Sequence, residues 1–294
     1  MPYAMAKDGV KLYYEETGAG ASTIVFVHEF GGNYQSWEPQ IRFFSRRHRC
    51  VIYAARGYPP SDIPENVEQY SQQIACDDIL AVMDHLTIDR AHVVGLSMGG
   101  FAALHFGLTH APRALSITAA SAGYGAEKHM EEVFRQVSAD VAQQFETLGA
   151  AAFAETYALA ASRVQFQNKD PRGWLEFKED LKRHSPIGAT NTMRGVQLRR
   201  PSLYDLEAGF RRMNVPTLVI VGDEDDHCLQ PGIFLKRVVP ACGLVVLPKT
   251  GHTCNLEEPA LFNQFVAEFI AQVESGCWAL RDPRATPAEI MKTR

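Results

Sequence analysis

Ser97 stands at the centre of Gly95-Leu96-Ser97-Met98-Gly99-Gly100, after the apolar run Ala91 to Val94 and before Phe101 to Leu108, a stretch whose Ala and Leu content suits a buried helix. A strand, a sharp turn and a helix around one serine make a nucleophile elbow. A serine hydroxyl attacks little at neutral pH unless it is exposed, a base takes its proton and donors receive the developing oxyanion. The flanking glycines let the backbone bend and let the helix approach its neighbours without a Cβ collision. The base and its supporting acid are expected downstream, in the order serine, acid, histidine, each beyond a strand of the same sheet. Thr217 to Val221 is an apolar run that empties into Gly222-Asp223-Glu224-Asp225-Asp226. Leu244 to Leu247 is another, followed by Pro248-Lys249-Thr250-Gly251-His252. A histidine on that loop can bridge the serine hydroxyl to a carboxylate. Three aspartates, Asp223, Asp225 and Asp226, compete for the acid's place.

The elements that must hold these groups follow from the apolar pattern. Tyr3 to Ala6 and Lys11 to Glu16 read as a hairpin around Asp8-Gly9, and Thr23 to Val27, Cys50 to Tyr53, His92 to Val94 and Leu115 to Ala119 as sheet strands. Tyr70 to Leu86 places Ile74, Ile79, Val82, Met83 and Leu86 on one helical face. Alternating strands and helices predict a mainly parallel sheet covered on both sides, with the site at the carboxyl ends of its strands. Between Ser121 and Met213 the alternation stops, and the segment reads as helices over Glu127 to Ala139, Val141 to Leu148, Ala150 to Ala161 and Gly173 to Arg183, broken at Asp170-Pro171 and Ser185-Pro186. Such an insertion would sit over the serine and set substrate choice. Phe134, Phe145, Phe153, Tyr157, Phe166, Trp174 and Phe177 supply aromatic surface for its own core and for the pocket. The organisation expected is a core over 1–123 and 214–275, a helical cap over 124–213 and a C-terminal extension over 276–294.

With these residues in place the chain resembles the α/β-hydrolase family, in particular its small serine-dependent members with a cap: esterases, enol-lactonases and C–C bond hydrolases. The resemblance rests on Val27-His28 with Phe30-Gly31-Gly32, Arg56-Gly57, the serine elbow, Gly222-Asp223-Glu224-Asp225, and Gly251-His252 followed by Glu257-Glu258-Pro259. It implies an α/β fold with a mainly parallel eight-stranded sheet flanked by helices and an inserted helical cap. The family's spacing selects Asp225 as the acid. An acid at the end of the preceding strand, the alternative in some relatives, has no carboxylate in Ala119-Ala120-Ser121. The oxyanion donors map to the backbone amides of Phe30 and Met98, with His28 in support. Where relatives carry glycine after that histidine, this chain has Glu29. Either Glu29 adopts ordinary backbone and meets solvent or a polar group, or its carboxylate faces the site, raising the His252 pKa or repelling anions. A second departure is Ala54 and Pro59 around Arg56, which reads as structural.

The resemblance implies acyl transfer to water on a small to medium, largely apolar ester or lactone, with Ser97, His252 and Asp225 as the triad and no redox or metal cofactor. C–C bond cleavage of a dienolic diketone, cofactor-free perhydrolysis or haloperoxidation, and a non-catalytic receptor are the rival readings. The acyl or carbonyl compound is the expected partner. In 294 residues, 29 basic and 34 acidic side chains give −5, which offers no footprint for nucleic acid. No 18-residue apolar stretch calls for a membrane, and a soluble cytoplasmic protein is expected. Six cysteines without a C-x-x-C pair fit reduced thiols. Cys254, two residues past His252, reads as a buried filler or as a thiol near the pocket, and His227, two residues from Asp225, is one histidine in an acidic turn and weak evidence for a metal. Arg199 and Arg200 read as surface groups or as contacts for a substrate carboxylate. Trp278 and Leu280 are candidates to anchor the tail, across a homodimer interface as one option.

Overall fold

The computed structural model describes residues 2–285. The opening hairpin pairs β1 (Tyr3–Met5) with β2 (Lys11–Thr17) in antiparallel register. There follow β3 (Thr23–Val27), α1 (Glu38–Phe44), β4 (Arg49–Tyr53), α2 (Gln72–His85), β5 (Ala91–Leu96), α3 (Met98–Thr109) and β6 (Ala114–Ala120). Beyond the insertion lie β7 (Thr217–Gly222), a helix over Asp226–Val238, β8 (Cys242–Leu247), a short helix over Cys254–Glu257 and a last helix over Pro259–Glu274. The eight strands form one sheet in the order β1-β2-β4-β3-β5-β6-β7-β8, with every pair from β4 to β8 parallel.

The continuous apolar runs of β3, β5 and β7 are buried along their whole length, as strands covered on both faces require. Successive side chains feed opposite cores. Val25, Val27, Val93, Ala119 and Val219 join α2 and α3 through Ile79, Val82 and Phe106. Ile24, Phe26, Val94, Leu96, Leu218 and Ile220 join α1 and the last helix through Phe44, Phe262 and Val266.

Helices fill the stretch between β6 and β7. The longest, α4 (Glu131–Tyr157), runs on past Ala139, where the sequence pattern ends one helix and starts another, and breaks only at Gly149, with φ 77° and ψ 171°. α5 (Val164–Lys169), α6 (Pro171–Leu181) and α7 (Pro186–Thr192) follow, the last two opened by Asp170 and Ser185 side chains that accept from Gly173 and Gly188 N–H groups. One π-helical turn extends α7 over Met193–Gln197, and α8 (Glu207–Phe210) leads back to the sheet. Continuing the numbering, Asp226–Val238 is α9, Cys254–Glu257 is α10 and Pro259–Glu274 is α11.

Trp278 docks within its own chain: its ring packs on Phe269 at 4.6 Å and its indole N–H donates to the Ala241 carbonyl at 2.8 Å. Leu280 is exposed. The remainder of the C-terminal extension, 286–294, lies outside the described residues. Among the described residues no helix is long and apolar enough to cross a membrane.

Candidate active site

Strand order reverses between β3 and β5, since the chain leaves β3 for β4 on one side and returns to β5 on the other. Crevices form at such points, beyond the carboxyl ends of the strands. The site residues expected from the sequence sit on that edge: His28, Glu29 and Phe30 after β3, Ser97 and Met98 after β5, Asp225 after β7 and His252 after β8, with Ser121 beside them after β6.

Ser97 occupies the turn from β5 into α3 with φ 52° and ψ −113°, a left-handed conformation that costs a non-glycine residue of order 1–3 kcal/mol. Close packing holds it there. A Cβ on Gly95 would stand 2.0 Å from the Gly99 carbonyl oxygen, and one on Gly99 would stand 2.1 Å from that of Val27. The glycines let α3 lie against β3 and β5, and the helix start then projects the serine into the crevice.

The Ser97 hydroxyl and His252 Nε2 are 2.8 Å apart, and His252 Nδ1 is 2.9 Å from Asp225 Oδ2. With Nδ1–H donating to the carboxylate, Nε2 is the acceptor for the serine proton. Burial opposes charge on the His252 ring, but the Asp225 carboxylate, by charge and hydrogen bond, outweighs it and raises the pKa above the ordinary histidine value. Burial likewise opposes the Asp225 charge, and His252, the Cys228 thiol and the Ser121 hydroxyl together bring its pKa below the usual carboxylate value. Ser121, at the strand end where some relatives carry the acid, thus serves the acid from β7. Asp223 accepts the Thr250 N–H at 3.1 Å and so braces the histidine loop. Asp226 is exposed at the start of α9.

The amide of Met98, first residue of α3, has no intrahelical acceptor and is free for an oxyanion. The Phe30 amide shares a peptide plane with the Glu29 carbonyl, and that carbonyl lies 2.7 Å from His28 Nδ1. His28 Nε2 accepts the Ala55 N–H at 3.1 Å, so the neutral ring donates through Nδ1 and turns the peptide from its oxygen end. Burial pushes the His28 pKa down to about 4, which keeps this arrangement uncharged. The Tyr58 hydroxyl donates to the Phe30 carbonyl at 3.0 Å.

Glu29 is not among the residues with positive φ, and its carboxylate does not reach solvent. It takes a two-pronged ion pair from Arg163, with Nη1 at 2.9 Å and Nη2 at 2.6 Å. Arg163 precedes α5 in the insertion and is the residue that sequence reasoning missed. The sequence left Glu29 between solvent, a polar contact and the site, and nothing in the local pattern names Arg163 as its partner.

Phe145 meets Phe30 at 5.8 Å and Phe153 at 4.2 Å, so part of the aromatic set of the insertion roofs the oxyanion loop. Phe166 and Phe177 pair with each other, and Phe134 with Tyr124. Arg56 bridges Asp78 and Asp8 with contacts from 2.6 to 3.2 Å, a structural tie. Arg199 pairs with Glu68 on the surface. Arg200 lies 3.6 Å over the Phe101 ring and donates to the Tyr124 carbonyl. Cys254 is fully buried with its thiol pKa raised by burial, which is the filler role. His227 packs on Tyr124 at 4.6 Å. Among the described residues, the ligating atoms of Asp225, Cys228 and His252 lie within 4.8 Å of one another. A metal there would displace the Nδ1 proton and break the Asp225 bond.

The family model described as the alpha/beta hydrolase family matches residues 24–265. The chain is 27% identical over 258 residues to 3-oxoadipate enol-lactonase 1 of Acinetobacter baylyi, covering 86% of this chain and 90% of the relative. It is 26% identical over 272 residues to a protein of Bacillus subtilis described as a putative 2-succinyl-6-hydroxy-2,4-cyclohexadiene-1-carboxylate synthase, covering 90% and 97%. The crystal structure of the enol-lactonase from Burkholderia xenovorans superposes with a TM-score of 0.80 at 24% identity, over 92% of this chain and 100% of that one, which shows a shared fold.

Proposed function

The chain belongs to the alpha/beta hydrolase family, and from that membership we propose that it is a serine hydrolase cleaving an uncharged, small to medium ester or lactone through an acyl-enzyme. The observation that carries the reading is the unbroken hydrogen-bonded chain from Ser97 through His252 to Asp225. His252 takes the Ser97 proton as the hydroxyl attacks the carbonyl, and the amides of Phe30 and Met98 receive the oxyanion. His252 then gives the proton to the leaving alcohol, and water cleaves the acyl-enzyme by the same route. Residues 124–213 act as the cap.

Two features support the substrate class. Phe30, Met98, Phe145 and Phe153 make an apolar cluster where the insertion meets the oxyanion loop. The guanidinium that acts on His252, that of Arg163, is already neutralised by Glu29, so it offers no free charge to a substrate carboxylate. A lactone is as well matched to this chemistry as an open ester, and one relative is named an enol-lactonase.

The test is the mass of intact protein after exposure to a small fluorophosphonate, together with turnover of p-nitrophenyl esters of increasing acyl length. One adduct and measurable turnover, both abolished in Ser97→Ala, are expected. Folded protein showing neither signal would overturn the reading in favour of a capped receptor. Preference for an ester bearing a free carboxylate over its neutral analogue would overturn the substrate class.

A further inference from the structure

Resting on the serine-hydrolase reading, we propose that the buried Glu29–Arg163 ion pair ties the helical insertion to the oxyanion loop, with Arg163 a positioning residue for the Phe30 amide. The two side chains come from positions 134 residues apart, and their side-chain exposures are 2% and 0%. The fork of the guanidinium matches both carboxylate oxygens, a geometry that fixes direction as well as distance. Nη2 also donates to the Tyr157 hydroxyl at 2.8 Å, and the guanidinium carbon lies 5.1 Å from the Tyr157 ring centre and 4.8 Å from that of Phe177. Arg163 is thereby fixed to α4 and α6. Among the described residues its Nε has no acceptor, so Glu29 and Tyr157 take the hydrogen bonds of the cation.

The loop gains its position from the same contact. A Cβ on Gly31 would stand 2.7 Å from Tyr157 Cε1 and 3.1 Å from Arg163 Nη2, so the loop and the insertion touch without slack. His28 sets the rotation of the Glu29–Phe30 peptide from its oxygen, and the Glu29 side chain anchors the Cα at one end of that peptide. The residue before Arg163 reaches the other half of the site, since the Ser162 carbonyl accepts the His252 N–H at 3.4 Å. Placement of the insertion and placement of the oxyanion donor are therefore one event.

The pair also balances charge at the base. His252 faces the Asp225 carboxylate on Nδ1, the Ser97 hydroxyl on Nε2 and the Cys228 thiol at 4.0 Å. The Glu257 carboxylate is held by the Gly251 and Thr253 N–H groups of the same loop. From the insertion Arg163 lowers the His252 pKa, and from the β3 loop Glu29 raises it. Intact, the pair's two effects oppose each other; removing either half frees the other.

The experiment uses the full-length parent, Glu29→Gln, Arg163→Met and the double variant, with fluorophosphonate titration to count sites and thermal melts to confirm folding. Initial rates on one neutral p-nitrophenyl ester give kcat, KM and the pH dependence of kcat/KM. Each single variant is expected to lose about a hundredfold in kcat with little change in KM, the effect of a displaced donor. The acid limb of kcat/KM should move to lower pH in Glu29→Gln and to higher pH in Arg163→Met, a pair of opposite shifts that loss of packing alone does not produce. The double variant, which buries no unpaired charge and stays informative if a single variant fails to fold, should return the limb to the parent position. It should lose less in kcat than the product of the two single losses. Limbs that do not move apart, or kcat losses that multiply, would overturn the proposal. A parent that neither labels nor turns over would instead overturn the serine-hydrolase reading itself.

Discussion

Ser97, His252 and Asp225 are divided among three loops, and each is held in place by groups outside the three or by one another. Ser97 is held in left-handed backbone by the packing of α3. His252 depends on Asp225 for its tautomer, and the Asp225 carboxylate is favoured against burial first by His252 and then by Cys228 and Ser121. Replacing the acid therefore differs in kind from replacing its neighbours in sequence. Asp225→Asn should lower kcat by about 10⁴-fold with the fold intact, because the wrong histidine tautomer then faces the serine. Asp226→Asn, at an exposed position, should leave kcat within about twofold of the parent. Steady-state rates on one ester decide this, and equal losses in the two variants would mean that the acid has been misassigned.

The longest helix of the insertion, α4, owes its shape to one break. α4 passes through Asp140 without interruption, because Phe134, Ser138, Ala142 and Phe145 continue a single buried stripe, and it turns only at Gly149. With φ 77° and ψ 171° that position lies in a region open essentially to glycine alone. A Cβ there would meet nothing within 4 Å, so substitution adds backbone strain without a collision. Gly149→Ala should cost about 1–3 kcal/mol and lower Tm by several degrees. An unchanged melt would show that α4 can run straight through the bend. Turnover of long-chain esters should fall more than that of acetate, since the bend lies between Phe145 and Phe153 and sets their ring contact in the cluster that includes Phe30.

Across the whole molecule, several histidines are buried as neutral rings. Burial pushes His28, His92 and His105 down to about 4 and His184 to about 3. The unfolded chain protonates these rings near the ordinary value of about 6.5, so below that pH it binds protons the folded chain refuses. Stability should therefore fall as pH drops from about 6.5 towards about 4. His252, Asp78 and Glu257, whose pKa values are raised, that of Asp78 to about 6 by burial, work in the opposite direction but are outnumbered. Urea melts at pH 7.5 and pH 5 should show a loss on the order of a few kcal/mol at the lower pH. A midpoint that rises on acidification would mean that these rings are charged in the folded protein. Among the described residues neither ring nitrogen of His184 has a hydrogen-bond partner and its ring lies 5.1 Å from Tyr58, so His184→Phe is the natural first substitution and should reduce the pH dependence.

The sequence by itself determined the sheet and put Ser97, an acidic turn and His252 on loops at its carboxyl edge. Apolar runs such as Thr23–Val27 and Thr217–Gly222 have only one way to lose their water, between two layers of helices, and each ends at the edge where its loop must lie. The elbow glycines are a local pattern with a local cause, and the choice of Asp225 among three aspartates came from the family resemblance. Only the tertiary structure decided what pairs with Glu29, why α4 does not break at Ala139, and that Trp278 docks in its own chain. These outcomes depend on which surfaces meet after the chain has folded. A buried carboxylate demands a counter-charge wherever one can be brought within reach, and no spacing rule connects residue 29 to residue 163.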